Sequence, residues 1–412
     1  MATINVSNAT QLASALSAAS GGDTIVLANG SYGDITIGND FSSDVTLVAA
    51  EPQGAQFGKV TVTGSHVALQ DVEINGAFII ESADSISVFD SRLTSYNAAK
   101  YSSNITFVGN DIGGGFTQNH GLNFGETSNF RIADNYIHEV MSDILRITGN
   151  SSGGVVENNV MYDSAPSSEA GHHPDTGLQM FGTASGTPHD IVIRGNLIVD
   201  DPATGDFYGQ GIFLGGPTGG YHNIVIEENL VAIGSPNAIF VRDGFGVEIK
   251  NNTVIPWPGG GGGGNIVLVN DVSGVTVDGN VTKGIVDTEA WNEANVQENF
   301  VYSTDPSSPA YIGDLISGEG YVWQDFLPQS GSAIDFGSGY GALGRLAELL
   351  SGEAPAPTPL PGSDEEPAPE PTPESEPTSE PEPEPAPTSE PELDPEPISM
   401  PAPKEGTVFS LT

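Results

Sequence analysis

The chain has 412 residues and a formal net charge of −43, with 11 Lys plus Arg against 54 Asp plus Glu. So few cations argue against a nucleic acid partner, because phosphate contacts need a basic surface, and against electrostatic attachment to anionic lipid. The sequence has no cysteine, which excludes disulfides and cysteine metal sites.

No apolar run reaches the length that a bilayer requires, and the N-terminus lacks the basic and apolar regions of an ordinary signal peptide. We therefore predict no membrane insertion. We expect a secreted or extracellular monomer without a recognisable N-terminal signal peptide. The acidic composition suits calcium, which is the one cofactor that we consider.

The first predicted element is a helix over residues 9–20, whose apolar side chains recur at helical spacing. Gly21 and Gly22 end this helix, and residues 23–27 read as an apolar strand. A short amphipathic helix at this point would cover the open apolar end and the unpaired edge of a β solenoid.

After the helix one motif recurs: an apolar strand, an Asn and a second short strand. The recurring asparagines are Asn110, Asn135, Asn158, Asn196, Asn229, Asn252, Asn280 and Asn299, and weaker copies precede them at Val45, Val67 and Ile86. A period of about 20 to 25 residues is typical of a stacked solenoid. Asn tolerates the left-handed conformation of a sharp turn, and stacked Asn side chains can hydrogen-bond from rung to rung. Turn asparagines of a β-sandwich are the alternative, but they do not explain the repetition.

The predicted fold class is all-β: a right-handed parallel β-helix solenoid with an N-terminal capping helix, over residues 1–352. Residues 353–403 are rich in Pro, Glu, Ser and Thr, and this composition predicts a disordered acidic linker. Residues 404–412 are apolar again. They are a candidate secretion or attachment signal, the start of another module, or a frayed end.

The strands that follow the Asn turns are where we place the chemistry. Neighbouring side chains of a strand point to opposite faces. The residues predicted to point inward are Leu122, Leu145, Leu178, Ile212 and Ile239. One outward column is then Asn123, Arg146, Gln179, Phe213 and Phe240, and a second is His120, Asp143, Thr176, Gln210 and Asn237. Rungs of a parallel stack lie about 4.8 Å apart, so both columns would form one outward patch.

This patch has the composition of a sugar-binding cleft. Arg, Gln and Asn hydrogen-bond carboxylates and hydroxyls, aromatic rings stack on sugar faces, and His and Tyr exchange protons. Two insertions, at about residues 164–189 and 201–221, would leave the stack beside the patch as loops on the binding side. They carry His172, His173, Asp175 and Tyr208. The substrate-binding candidates are His120, Asn123, Gln179, Gln210, Phe213, Phe240 and Arg242. An exposed Asp143–Arg146 ion pair among ordinary surface polar groups remains the alternative.

The capping segment, the repeat and the segment Asn119–Phe124 resemble the parallel β-helix superfamily of polysaccharide lyases and mannuronan epimerases. The resemblance implies that a His or Tyr removes the proton alpha to a uronate carboxylate while a second group donates a proton. By this analogy Arg146 and Gln179 neutralise the carboxylate. The base is His172 or His173, and the donor is Tyr208. Asp143 and Asp175 orient the histidine or hold a cation.

We therefore expect a carbohydrate-active enzyme acting on an anionic uronate polysaccharide such as alginate, by proton abstraction at carbon 5 followed by β-elimination or epimerisation. One alternative is a non-catalytic glycan-binding solenoid, such as an adhesin or fibre module, which needs no convergent base and acid. Another is a polygalacturonase-like glycoside hydrolase, which needs close carboxylate pairs. Asp200, Asp201 and Asp206 are candidates for such pairs.

Overall fold

Short strands joined by tight turns make up most of the described chain. A computed structural model describes residues 1–115, 120–164, 176–199, 209–216, 220–256, 263–288, 294–318, 327–335 and 338–342. The predicted linker, residues 353–403, and the terminal segment, residues 404–412, lie outside the described residues.

The elements in chain order are β1 (Thr3–Val6), α1 (Ala9–Ala18), β2 (Thr24–Leu27), β3 (Gly30–Ile37), β4 (Asp40–Ala49), β5 (Ala55–Val62), β6 (Ser65–Gln70), β7 (Glu73–Ile74), β8 (Phe78–Glu81), β9 (Asp84–Phe89), β10 (Arg92–Leu93), β11 (Asn97–Lys100), β12 (Ser103–Val108), β13 (Asp111–Gly113), β14 (Leu122–Gly125), β15 (Ser128–Ala133), β16 (Tyr136–Val140), β17 (Leu145–Thr148) and β18 (Ser152–Glu157). They continue with β19 (Val160–Ser164), β20 (Thr176–Phe181), β21 (His189–Arg194), β22 (Leu197–Val199), β23 (Gln210–Leu214), β24 (Tyr221–Glu227), β25 (Leu230–Ile233), β26 (Asn237–Arg242), β27 (Gly244–Phe245), β28 (Glu248–Lys250), β29 (Thr253–Pro256), β30 (Asn265–Val269), β31 (Thr276–Asp278), β32 (Val281–Thr282), β33 (Gly284–Asp287), β34 (Asn295–Val296) and β35 (Phe300–Val301).

The strands stack into three parallel columns, which we name faces A, B and C. Face A is β1, β2, β4, β6, β9, β12, β15, β18, β21, β24, β28, β31 and β34. Face B is β7, β10, β13, β16, β19, β22, β25, β29, β32 and β35, and face C is β8, β11, β14, β17, β20, β23, β26, β30 and β33. Strands β3 and β5 precede faces B and C, since β5 pairs with both β7 and β8. The chain visits the faces in turn, which confirms the predicted parallel β-helix.

The interior is filled by apolar side chains in register from rung to rung. On face C, Leu122 pairs with Leu145 and Leu145 with Leu178. The column continues through Ile212 and Ile239, and all five side chains are fully buried. Burial of a side chain of this size stabilises a fold by about 1.5–3 kcal/mol. The predicted inward column is therefore confirmed, and a slip of one residue would expose it.

A ladder of asparagines runs along the turn from face A to face B. Its members are Asn110, Asn135, Asn159, Asn196, Asn229, Asn252, Asn280 and Asn299. Each Nδ2 donates to the Oδ1 of the Asn on the next rung, and every step measures 2.9 Å. The predicted hydrogen bonding from rung to rung is therefore confirmed. It supplies a partner to both the donor and the acceptor of a buried amide.

The ladder also corrects two expectations. Its third member is Asn159, whereas we assigned Asn158. The left-handed residue is the one before the ladder Asn, as at Asp134 with φ 57°, Asn158 with φ 57° and Glu228 with φ 54°. Asn158 thus makes the turn, and Asn159 makes the rung-to-rung hydrogen bonds.

The N-terminal helix α1 lies where the sequence predicts it. The Asn8 side chain accepts a hydrogen bond from the backbone N–H of Gln11, which caps the first turn. Leu12, Ala15 and Leu16 are buried and belong to the interior core. In the part of the chain that the structure describes, no helix has the length and hydropathy needed to span a membrane.

A second apolar cluster covers the outer side of face B on its later rungs. Leu197 and Leu230 point outward there and pack with Ile312, Leu315 and Ile334. The C-terminal part of the described chain therefore lies over this part of face B.

Candidate active site

The first outward column lies on face C in the predicted register. Asn123 pairs with Arg146, Arg146 with Gln179, Gln179 with Phe213, and Phe213 with Phe240. Their inward neighbours are the fully buried Leu and Ile residues of the core. The alternation of a strand therefore presents these five side chains on the outside of the solenoid.

The Arg146 side chain is held by three neighbours. Its Nη1 lies 3.0 Å from Nε2 of His120, and its Nε lies 3.9 Å from Oδ2 of Asp143. The guanidinium carbon lies 4.4 Å from the centre of the Phe181 ring, which is within the range of a cation–π interaction. A guanidinium fixed in this way is ready to receive a planar anion such as a carboxylate.

The contact with Arg146 sets the tautomer of His120. Arginine can only donate hydrogen bonds, so Nε2 of His120 must be the acceptor and Nδ1 must carry the proton. Nδ1 faces Oδ2 of Asp143 at 3.7 Å, which is too long for a hydrogen bond but close enough for electrostatic attraction. The acceptor nitrogen of His120 thus faces the arginine.

Asp143 is a buried carboxyl. Burial raises its pKa from 3.8 to about 6, although the charge of Arg146 and hydrogen bonds from Thr176 oppose this rise. The side chain of Asp143 is 7% exposed, so the Asp143–Arg146 contact is not an exposed surface ion pair. Titratable groups with shifted pKa values cluster at functional sites more often than elsewhere.

The second outward column is less accessible than we expected. As whole residues, Asp143 is 5% exposed, Thr176 0% and Gln210 9%. Thr176 hydrogen-bonds to the Asp143 side chain, and its backbone carbonyl accepts from the N–H of Ile144. The expectation of an open polar patch is therefore wrong for these three residues. Each stands two positions before an inward Leu or Ile of its rung, which is the alternate position that faces the core.

The predicted aromatic platform has one ring toward the solvent. Phe213 and Phe240 stack on each other with centroids 4.4 Å apart and an interplanar angle of 11°. Phe240 is 8% exposed, and the Arg242 guanidinium lies 5.9 Å from its ring centroid. A Cβ on Gly215 would come within 2.3 Å of the Phe213 ring, so only glycine lets the chain pass there. Phe240 thus backs Phe213, which is partly exposed and is the ring that can meet a sugar.

Two further groups, one on face C and one on face B, are not indicated by the sequence pattern. Phe181, two residues after Gln179, supports Arg146. On face B, Nε2 of His138 lies 2.8 Å from Oδ1 of Asp111, and the Tyr136 ring stacks on His138 at 4.1 Å. Asp111 and His138 belong to adjacent rungs, so their pairing follows only from an alignment of the short strands after the Asn turn.

Four catalytic candidates lie outside the described residues: His172, His173, Asp175 and Tyr208. The hydrolase candidates Asp200, Asp201 and Asp206 also lie there. Their roles remain predictions. Among the residues that the structure does describe, no three His, Cys, Asp or Glu side chains are gathered to hold a metal ion. Calcium as a cofactor remains a prediction.

No protein-family model matches the sequence, and no curated protein matches it. The fold is similar to an alginate lyase from Paenibacillus sp. str. FPU-7, with 17% identity, a TM-score of 0.50, and coverage of 72% of this chain and 99% of that one. It is similar to a mutant of the PL6 family alginate lyase AlyGC, with 14% identity, a TM-score of 0.53, and coverage of 84% of this chain and 57% of that one. The A-module of a mannuronan C-5 epimerase from Azotobacter vinelandii matches with 12% identity and a TM-score of 0.44, over 72% of this chain and 94% of that one. At these identities the first two matches establish the fold alone, a parallel β-helix.

Proposed function

We propose that the chain acts on a uronate polysaccharide such as alginate, by removing the proton at carbon 5 as a lyase or an epimerase. The observation that carries the proposal is the Arg146 guanidinium, held by His120, Asp143 and Phe181 on the outer side of face C. Two solved structures that match with a TM-score of 0.50 or more are alginate lyases, which supports this substrate class.

Arg146 would bind the carboxylate of the uronate unit that reacts. Removal of the proton alpha to that carboxylate leaves negative charge on its oxygens, and a fixed guanidinium stabilises this charge as it develops. The side-chain amide of Gln179, one rung further on face C, adds a donor beside it. An arginine held by its own neighbours needs little reorganisation at the moment of reaction.

Among the described residues, His120 is the candidate base. A uronate carboxylate that takes over the Nη1 contact of Arg146 leaves the lone pair of His120 Nε2 for the proton at carbon 5. The ionised Asp143 then stabilises the imidazolium through the Nδ1–H that faces it. The predicted bases His172 and His173 are the alternative.

Elimination and epimerisation differ after the first bond breaks. In both, the C5–H bond breaks and the base takes the proton. In the lyase, the electron pair forms a C4–C5 double bond, the C4–O bond breaks, and the leaving oxygen takes a proton. In the epimerase, a proton returns to carbon 5 from the opposite face. Tyr208 is the predicted donor in either case.

A substrate panel tests the proposal. The full chain is mixed with alginate, pectate and chondroitin, with and without calcium, and the ultraviolet absorbance of unsaturated ends is followed. A rise with alginate identifies a lyase, and exchange of the carbon 5 proton in heavy water without a rise identifies an epimerase. The same response to another uronate polymer would change the sugar but keep the chemistry. No rise on any polymer, together with no proton exchange at carbon 5 in heavy water, would contradict the proposal and leave a hydrolase or a binding protein.

A further inference from the structure

A cavity of 580 Å³ opens on face C beside the Arg146 column. Its lining includes Lys100, Tyr101, Glu126, Thr148, Thr183 and Ser185. Lys100, Gly125 and Thr148 occupy one register on three successive rungs. That register is two residues beyond Asn123 and Arg146, which corresponds to about 7 Å along a strand. The floor of the cavity is therefore continuous with the candidate active site.

Gly125 keeps the floor of the cavity open. A Cβ at this position would lie 3.2 Å from Oγ1 of Thr148 and 3.8 Å from Cγ of Lys100. Any larger side chain would fill the space between these two residues. The glycine thus leaves room for a ligand between the lysine and the threonine hydroxyl.

Lys100 is a cation without a carboxylate partner among the described residues, whereas several other cations of the chain are paired. Arg131 and Arg194 contact the buried Glu157, and Lys250 contacts Glu248. The Lys100 ammonium instead lies 6.0 Å from the centre of the Tyr96 ring. An unpaired cation in so acidic a chain suits a ligand that brings its own negative charge.

The opposite wall of the cavity has a different chemistry. The Glu126 carboxylate accepts hydrogen bonds from the Thr183 hydroxyl at 3.2 Å and from the backbone N–H of Asn150 at 2.9 Å, and it also accepts from the Ser185 hydroxyl. It therefore braces the turn at residues 183–186. Tyr101 stands at the rim and is 65% exposed, so its ring can lie against an apolar ligand face.

We propose that this cavity is a subsite for a second uronate unit of the polysaccharide, with the unit's carboxylate paired to Lys100 and its ring against Tyr101. The hydroxyls of Thr148 and Ser185 would form hydrogen bonds with the sugar hydroxyls. The subsite rests on the proposed function, since it takes the neighbour of the unit that Arg146 holds. The protein would then bind two carboxylates of one polysaccharide chain, and neutral glycans would bind more weakly.

Titration calorimetry with alginate oligosaccharides tests the subsite. The binding is measured in the full chain with Arg146→Ala, which prevents turnover during the titration, and again with Lys100→Met added. We expect Lys100→Met to weaken binding about tenfold, the size of one lost charged contact, and Lys100→Arg to restore most of it. Lys59→Met is the matched control, because Lys59 is exposed on β5 outside the cavity and its loss should leave the affinity unchanged. Cello-oligosaccharides serve as the neutral probe, whose affinity should not respond to Lys100→Met.

The outcomes separate the subsite from the reaction. If Lys100→Met and Lys59→Met bind the oligosaccharides alike, the subsite is overturned, and the activity of the wild-type chain on alginate decides the proposed function separately. If Lys100→Met weakens binding but the wild-type chain turns over no uronate polymer, the subsite is supported and the reaction is not. If the wild-type chain neither binds nor turns over any uronate polymer, both proposals fail.

Discussion

The asparagine ladder and the outward column of face C are both stacks of side chains that run along the solenoid, but they are built differently. The ladder repeats one residue type and one contact, with 2.9 Å at every step. The column carries Asn, Arg and Gln on three successive rungs and Phe on the next two. The repeated residue marks the part that holds the rungs together. The varied residues mark the part that can make different contacts with different groups of a ligand.

The two regions also differ in how their polar groups are satisfied. The ladder amides from Asn110 to Asn280 are buried and hydrogen-bonded to backbone groups and to one another, so they have no hydrogen-bonding group left for a ligand. In the column, Arg146 is held by a histidine that stands beside a buried carboxyl with a pKa of about 6. Burying a charged group costs desolvation energy that an uncharged group avoids. A buried carboxyl at this position therefore indicates a functional role rather than a contribution to stability.

The largest effect is expected from Arg146→Ala. The substitution removes the group that neutralises the developing charge, and it should lower kcat/KM on alginate by about 10³-fold. The melting temperature should hardly change, since the Arg146 side chain is not part of the core.

Arg92→Ala is the matched control for Arg146→Ala. Arg92 is exposed on β10, and its loss changes the net charge by the same amount. Equal losses of activity in the two variants would show that general electrostatics, rather than the held guanidinium, governs the reaction.

The next effect is on stability, from Asn196→Ala in the middle of the ladder. The Asn196 amide donates to the carbonyl oxygen of Val156 at 2.9 Å and to Oδ1 of Asn229 at 2.9 Å. Its Oδ1 accepts from the backbone N–H and the Nδ2 of Asn159. Several buried groups would lose a partner, so the free energy of unfolding should fall by about 3 kcal/mol. Urea denaturation measures it, with the exposed Asn5→Ala as a control that should change it by less than about 0.5 kcal/mol. Similar losses in both variants would remove the special role of the ladder.

A pH effect follows from Asp143. Because burial raises its pKa from 3.8 to about 6, the folded chain keeps a proton in this interval that the unfolded chain has released. The contribution of Asp143 to stability is therefore full below about pH 4 and is lost as the pH rises through about 6. The free energy of unfolding of the wild-type chain, relative to Asp143→Asn, should fall by about 2–3 kcal/mol between about pH 4 and pH 7. Parallel stability curves for the two proteins would mean that Asp143 does not titrate in this range.

The smallest effect is expected from Phe213→Ala. Phe213 is the partly exposed ring of the stacked pair, and the loss of one sugar-stacking ring should raise KM on alginate about fivefold. The effect on kcat should be small because the ring does not touch Arg146. A large loss of kcat would move Phe213 into the catalytic group.

The sequence predicts most of the fold and the register of the column. Apolar residues at alternate positions fix which way Leu145 points, and Arg146 must then point outward. The ladder is less certain from sequence at Asn158 and Asn159, because two asparagines in a row leave the register ambiguous by one residue. The burial of Thr176 and Gln210 follows from alternation, because each stands two positions before an inward residue of its strand, and the prediction placed them on the wrong face. Asp143 precedes β17, so its burial depends on how the strand starts pack against one another. Phe181 supports Arg146 from the next rung, two residues beyond the partner that pairs with Arg146. No local sequence pattern predicts a contact of this kind. The roles of His172, His173 and Tyr208 remain predictions.

The most direct test of the account is the fate of the proton at carbon 5. Alginate is incubated with the wild-type chain and with Arg146→Ala in heavy water, and proton NMR follows the signal of that hydrogen. The account predicts loss of the signal with the wild-type chain, through elimination or through exchange for deuterium, and no loss with Arg146→Ala. Chain cleavage with the carbon 5 proton retained would contradict proton abstraction and would identify a hydrolase. Retention of both the proton and the chain length would leave a protein that binds the polysaccharide without transforming it.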